Sequence, residues 1–200
     1  MSAVIGERRP AVLKLIKIIT KLAFYPSFRI QTTGLESIPK KGAFIILPKH
    51  QRWEDIPLLG LTIQRPLYYI AKHELFRNPV YKWFISSLGG IPLNRDRPLE
   101  SRQSLKSMID LLKGGEGVVI FLEGTYYREG MGVGHVGLIR MIFPRFTIPF
   151  IPVGIRYSRK RGRTLVKIEI GRPIYGDSSM TVKEVVDRVM NEIARLSGIR

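Results

Sequence analysis

Residues 46–60 read ILPKHQRWEDIPLLG, which sets His50, the first of only three histidines, five positions ahead of Asp55. An imidazole can take a proton from a weak nucleophile near neutral pH. A carboxylate on its other ring nitrogen then fixes the tautomer and stabilises the imidazolium. On one continuous helix, residues five apart are turned by about 140° from each other and cannot meet, so the pair must straddle a bend. The apolar run AFIIL (43–47) ends at Pro48, and Pro57 suits the first turn of a new helix. His50 would then stand at the carboxyl end of a strand, where open α/β sheets gather their chemistry. The chain has no cysteine and no serine in a G-x-S-x-G elbow. A His/Asp dyad without its own nucleophile suits direct attack by a bound hydroxyl. The plainer reading is that His50 ends a strand and Asp55 caps a helix.

Three further blocks follow in order. AKHELFRNPVYKWFISSLGGIPLNR (71–95) joins a helix to a strand ending in Asn94 and Arg95. VVIFLEGTYYREG (118–130) runs an apolar strand into Glu123, a carboxylate that is costly to bury unless paired or used. IPFIPVGI (148–155) is an apolar run broken by two prolines, which predicts an edge or irregular strand.

The elements that would position these blocks alternate short apolar runs with helical periodicity, the pattern of an α/β domain. Strands are expected at 43–47, 67–71, 90–93, 117–122, 148–155 and 164–170. Helices are expected at 56–64, 79–87, 101–113, 135–143 and 181–196, the last opened by a Thr181/Glu184 capping box and stopped by Gly198. The fold class read from this is a single α/β domain, 31–200, with a mixed, mostly parallel central sheet flanked by helices. An N-terminal amphipathic helix within 1–30 precedes it. In residues 11–24, Lys14, Lys17 and Lys21 share one side beside a broad apolar arc. Such a helix suits a membrane interface, or else packs its apolar arc on the domain with lysines in solvent.

Lys and Arg number 33 against 16 Asp and Glu, a formal charge of +17, so an anionic surface or phosphorylated ligand is an expected partner. The basic stretch IRYSRKRGRT (155–164) forms a predicted hairpin tip that could meet anionic headgroups or an acidic carrier protein. No apolar run approaches the ~20 residues of a membrane span, and no secretory signal is expected, which predicts a peripheral protein on the cytoplasmic face of the membrane. His73 and His135 lack partners at metal-ligand spacing, and no metal is expected. A non-enzymatic basic module binding membrane or nucleic acid remains as a rival, although no RNA-recognition signature or recognition helix supports nucleic acid as a partner.

His50 with Asp55, GGIPLNR (89–95), FLEGT (121–125) and IPFIPV (148–153), in this order, resemble the four sequence blocks of the glycerolipid acyltransferases, including the 1-acylglycerol-3-phosphate acyltransferases. The connector residues Lys72, Leu75, Phe76, Pro79, Trp83 and Gly89 add to the likeness, which covers about residues 43–155. The resemblance implies that His50 deprotonates a lysophospholipid hydroxyl, which attacks the thioester of acyl-CoA or an acyl carrier protein while Asp55 orients the imidazole. No cofactor beyond that donor is implied. Arg95, Glu123, Gly124 and Thr125 would bind the acceptor, with Arg95 on its phosphate and Lys72 a further phosphate contact. Pro149, Ile151, Pro152 and Val153 would shape the acyl-donor side.

The chain departs from the family pattern at four positions. Tyr126 stands where an arginine is common, so either Arg128 takes that part or the acceptor carries less phosphate near this point. Asn94 replaces an acid, Leu122 a proline and Lys49 a small polar residue. These departures are expected to leave the dyad untouched and to bear on the acceptor, which could be another lysophospholipid or an amino-acid lipid.

Overall fold

The computed structural model describes residues 10–94, 101–160, 162–177 and 179–199. Helix α1 (Pro10–Phe24) leads into strand β1 (Phe28–Thr33). Then come β2 (Phe44–Pro48), α2 (Asp55–Thr62), β3 (Leu67–Lys72), α3 (Pro79–Ser87) and β4 (Gly90–Leu93). The second half has α4 (Arg102–Lys113), β5 (Gly117–Val119), α5 (Gly137–Ile142), β6 (Phe150–Lys160), β7 (Arg163–Ile170) and α6 (Val182–Leu196).

The strands form one sheet in the order β1-β7-β6-β2-β5-β3-β4. Five neighbouring pairs are parallel, and only β6 with β7 is antiparallel. The mixed, mostly parallel α/β domain expected from the periodicity is therefore the fold. Strands β2 to β5 are short and apolar because both faces are covered. Ile45, Leu47, Val118 and Ile70 pack into a core with residues of α4, α5 and α6, whereas Phe44, Ile46 and Val119 pack with Leu58 and Leu59 of α2. Helix α3 shares the α2 face. Gly90 pairs with Tyr69, whose side chain lies on that face, and a Cβ on Gly90 would sit 2.2 Å from Cγ2 of Ile85 in α3. This is the arrangement that two successive right-handed crossovers in one direction require.

Several sequence expectations are corrected. Strand β1 was not foreseen. It is an edge strand whose residues alternate between half-buried and exposed, and it runs across the expected boundary at residue 30 to pair with β7. The strand expected over 117–122 keeps ladder pairing only to Val119, and the helix expected over 135–143 shrinks to Gly137–Ile142.

The proline-broken strand is central rather than marginal: β6 runs to Lys160 between β7 and β2. The prolines are tolerated because the flanking strands are staggered. Pairing with β7 begins only at Val153, so the donor missing at Pro152 falls beyond the last rung, and Pro149 precedes the strand while its carbonyl accepts from Ile45 N.

The capping box at α6 forms as expected, with Glu184 N donating to Thr181 Oγ1 and Thr181 N donating to Glu184 Oε2. Helix α1 spans the expected residues but presents a different face. Leu15, Ile18, Ile19 and Leu22 are exposed, while Lys17 turns inward and donates to the Ile63 carbonyl at 3.5 Å. Lys14 and Lys21 are exposed. The three lysines therefore do not share one solvent side.

Candidate active site

Strand β2 delivers His50 just past its carboxyl end, the next residues bend, and Asp55 opens α2. The bend brings His50 Nδ1 to 3.2 Å from Asp55 Oδ2. Asp55 is fully buried, and its Oδ2 also accepts the backbone N–H groups of Gln51 at 2.7 Å and Arg52 at 2.8 Å. The carboxylate thus closes the loop that carries its histidine. It also sits at a helix N-terminus, where the helix dipole favours negative charge.

Oδ1 of Asp55 accepts a 2.5 Å hydrogen bond from the Tyr157 hydroxyl. Tyr157 reaches the site because β6 continues four residues past its rung with Pro48. Burial first, then the Asp55 carboxylate, push the phenol well above its ordinary range, so it remains a donor. The Arg52 guanidinium lies 4.6 Å from the Tyr157 ring centroid and lends that ring a further contact.

A second carboxylate holds the histidine's backbone. Glu123 Oε2 accepts from His50 N at 3.0 Å, while Oε1 takes the Lys49 ammonium at 2.6 Å and Gly132 N at 2.8 Å. Lys49 and Glu123 are both buried. Both Glu123 oxygens are thus engaged within the protein, where they support the backbone of His50. The imidazole stacks on Phe121, with ring centroids 3.8 Å apart, and Tyr126 leans against it at 4.4 Å. With Nδ1 on Asp55 and one face on Phe121, the ring's remaining basic atom is Nε2, on the side away from Asp55.

Beside this pair lies a cleft of about 720 Å³ at the carboxyl ends of β3, β4 and β5. Lys72, Glu123, Gly124 and Thr125 line it, together with His73 and His135. Two blocks that are remote in sequence thus line one cleft at this end of the parallel sheet, and the His50–Asp55 pair adjoins it through Phe121 without lining it.

The Acyltransferase family profile matches residues 29–156. The chain is 32% identical over 155 residues to the 1-acyl-sn-glycerol-3-phosphate acyltransferase of Bacillus subtilis, a match covering 73% of this chain and 74% of that protein. This chain belongs to the acyltransferase family.

The chloroplastic 1-acyl-sn-glycerol-3-phosphate acyltransferase BAT2 of Brassica napus is 28% identical over 191 residues, covering 90% of this chain but only 54% of the relative. The chain therefore spans about half the length of that protein. The crystal structure of PlsC from Thermotoga maritima, a 1-acyl-sn-glycerophosphate acyltransferase, matches with a TM-score of 0.67 and 27% identity, covering 94% of this chain and 80% of that one.

Within this family member, the remaining expected site residues fall in different places. Arg95 lies outside the described residues. Arg128 is exposed and does not line the cleft. Pro149, Ile151, Pro152 and Val153 also lie off the cleft. Ile151 and Val153 are fully buried in the sheet core on the α2 face, and the Val153 carbonyl accepts from Lys49 N, which anchors the strand end before His50. His73 contacts Glu74 at 3.2 Å on the cleft rim.

The expectation that the departures leave the dyad untouched is also corrected. Tyr126 touches the imidazole, and Lys49 pairs with the carboxylate that holds His50's backbone. Sequence reasoning missed Tyr157, which stands 102 residues from Asp55 with no motif around it, and the pairing of Lys49. The one available signal for Lys49 was a cation directly before His50 and an acid at the end of another parallel strand.

Proposed function

We propose that this chain transfers a fatty acyl group from acyl-CoA or an acyl carrier protein to the free hydroxyl of a lysophospholipid, 1-acylglycerol-3-phosphate, giving phosphatidic acid. His50 Nε2 accepts the hydroxyl proton as the oxygen attacks the thioester carbonyl. The tetrahedral intermediate then collapses with cleavage of the carbon–sulfur bond, and the imidazolium returns its proton to the departing thiolate. Asp55 holds Nδ1 and balances the charge on the ring during the transfer. Lys72, at the cleft rim, and Arg95, from the second block, bind the acceptor phosphate.

The observation that carries this reading is the His50–Asp55 contact at 3.2 Å, with the carboxylate further fixed by Gln51 and Arg52 on Oδ2 and by Tyr157 on Oδ1. Such a carboxylate is committed to orienting one imidazole. The relatives named above carry the same activity in their names. Peripheral attachment to the cytoplasmic face of a membrane completes the proposal, because acceptor and product reside in the bilayer and α1 exposes Leu15, Ile18, Ile19 and Leu22. No helix among the described residues is long and apolar enough to cross a membrane.

The test is thiol release from acyl-CoA and from an acyl carrier protein, each with and without lysophosphatidate. Acceptor-dependent release that disappears in His50→Ala supports the proposal; release unaffected by that change refutes the mechanism. A second reading, with another lysophospholipid or an amino-acid lipid as acceptor, is favoured by Tyr126, whose ring occupies the space beside His50 where the family commonly has a cation. Product analysis across a panel of acceptors separates the two.

A further inference from the structure

Helix α3, PVYKWFISS, is exposed along its first six residues, Pro79 to Phe84. Val80 is 71% exposed, Tyr81 62%, Trp83 53% and Phe84 40%, so four large apolar side chains lie open on one short helix. At 100° per residue these four fall within an arc of about 160°, with Lys82 opposite. Leu75, in the turn just before the helix, adds another exposed apolar side chain. Nothing in the reaction described above uses these residues.

We propose that α3 is a second lipid-interface contact that, together with α1, seats the α1–α2–α3 face of the sheet on an anionic bilayer. This rests on the membrane attachment proposed above and adds a residue-level surface to it. Three observations favour lipid over a protein partner. Six consecutive exposed residues span more than one full turn, so the first part of the helix stands open around its axis while Ile85 and Ser87 hold its end on the domain; a protein partner buries one stripe, whereas a headgroup layer surrounds a helix. Its side chains include Trp and Tyr, whose rings bear one polar tip each and suit the boundary between headgroups and acyl chains. The segment carries cations without acids from Arg77 to Ser87, within a chain of net charge +17, which suits an anionic surface.

The fold supplies continuity between the two helices. Helix α1 packs against α2, through Lys17 on the Ile63 carbonyl, and α3 lies on that same face of the sheet. The exposed apolar residues of α1, the exposed Trp53 ring that packs edge-on against Phe24 at 5.9 Å, and α3 therefore all belong to one side of the molecule. The cleft rim at Lys72 to Glu74 leads directly into the turn before α3. An acceptor in the bilayer would enter from the edge that α3 holds down.

The chain has two tryptophans, Trp53 and Trp83, so Trp53→Phe leaves a single reporter on α3. Its emission is recorded with vesicles of phosphatidylcholine and phosphatidylglycerol, some carrying spin-labelled acyl chains, and binding is followed separately by flotation. A blue shift and quenching by shallow labels on anionic vesicles are expected. In parallel, Tyr81→Glu with Trp83→Glu should weaken vesicle binding by about tenfold while turnover of water-soluble short-chain substrates and the thermal midpoint stay unchanged.

Protein that floats with vesicles while Trp83 stays unshifted and unquenched overturns the role of α3 and leaves attachment through α1 standing. Failure to float at all overturns both, whereas acceptor-dependent thiol release in the same sample preserves the acyl-transfer reading. A Trp83 response to an acidic carrier protein in lipid-free solution, with none to vesicles, overturns the proposal in favour of a protein partner.

Discussion

The Lys49–Glu123 pair gives a prediction that the fold and the site share. Lys49 Nζ and Glu123 Oε1 lie 2.6 Å apart with both side chains out of water, and the same carboxylate accepts the N–H groups of His50 and Gly132. Lys49→Met leaves the carboxylate buried with only two backbone donors, and Glu123→Gln leaves the ammonium buried against a neutral amide. The amide must also turn its NH₂ toward one of the backbone N–H groups, placing donor against donor. Each single change should therefore cost about 3–5 kcal/mol, the range for breaking a buried pair by removing one partner. At a urea dependence of about 2–3 kcal/mol/M, that lowers the unfolding midpoint by more than ~1 M.

The double variant should lose clearly less than the sum of the two, by at least ~1.5 kcal/mol, because the second change removes the charge that the first had stranded. Urea unfolding followed by circular dichroism measures all four corners of the cycle, and turnover in native buffer measures the site. Glu123→Gln should reduce kcat even where the protein is fully folded, because His50's backbone N–H loses its carboxylate. Losses that add within ~0.5 kcal/mol, or a Glu123→Gln protein with wild-type kcat, would refute the argument that this pair holds the histidine in place.

Other outcomes follow from the same geometry. Asp55→Asn should lower kcat by orders of magnitude with KM little changed, by turning a donor toward the imidazole or releasing the loop held through Gln51 and Arg52, as steady-state kinetics on folded protein would register. Tyr157→Phe keeps the ring against Arg52 but strips Asp55 Oδ1 of its donor, a loss of about 1.5–3 kcal/mol for a hydrogen bond to a charged group, to be read by denaturant unfolding. Burial and Asp55 hold the Tyr157 phenol protonated above pH ~10, where an unfolded tyrosine ionises. Stability should therefore fall as pH rises past ~10, and Tyr157→Phe should remove that part of the alkaline slope in unfolding curves. Lys72→Ala should raise KM for lysophosphatidate more than it lowers kcat, and should leave KM for the acyl donor unchanged, as initial-rate measurements would reveal.

Much of the site was legible before any coordinates. The five-residue interval between His50 and Asp55 demands a bend, the prolines at 48 and 57 mark where it falls, and apolar runs ending in His50, Lys72 and Glu123 put those groups at strand ends. The capping box at Thr181 and the alternating pattern of strand and helix are equally local, because turn chemistry and periodicity are settled by residues within a turn or two of one another.

What joins distant segments was decided by tertiary structure alone. Tyr157 meets Asp55 only because β6 lies beside β2 and outruns it. Lys49 finds Glu123 because β5 flanks β2 on the other side, and Pro152 in β6 is harmless only because β7 starts its pairing at Val153. The face that α1 turns outward is set likewise by its packing on α2 and not by its own pattern. Strand order and stagger are properties of the whole packed sheet, and a one-residue slip in register would exchange every such partner, so no local stretch of the chain encodes them.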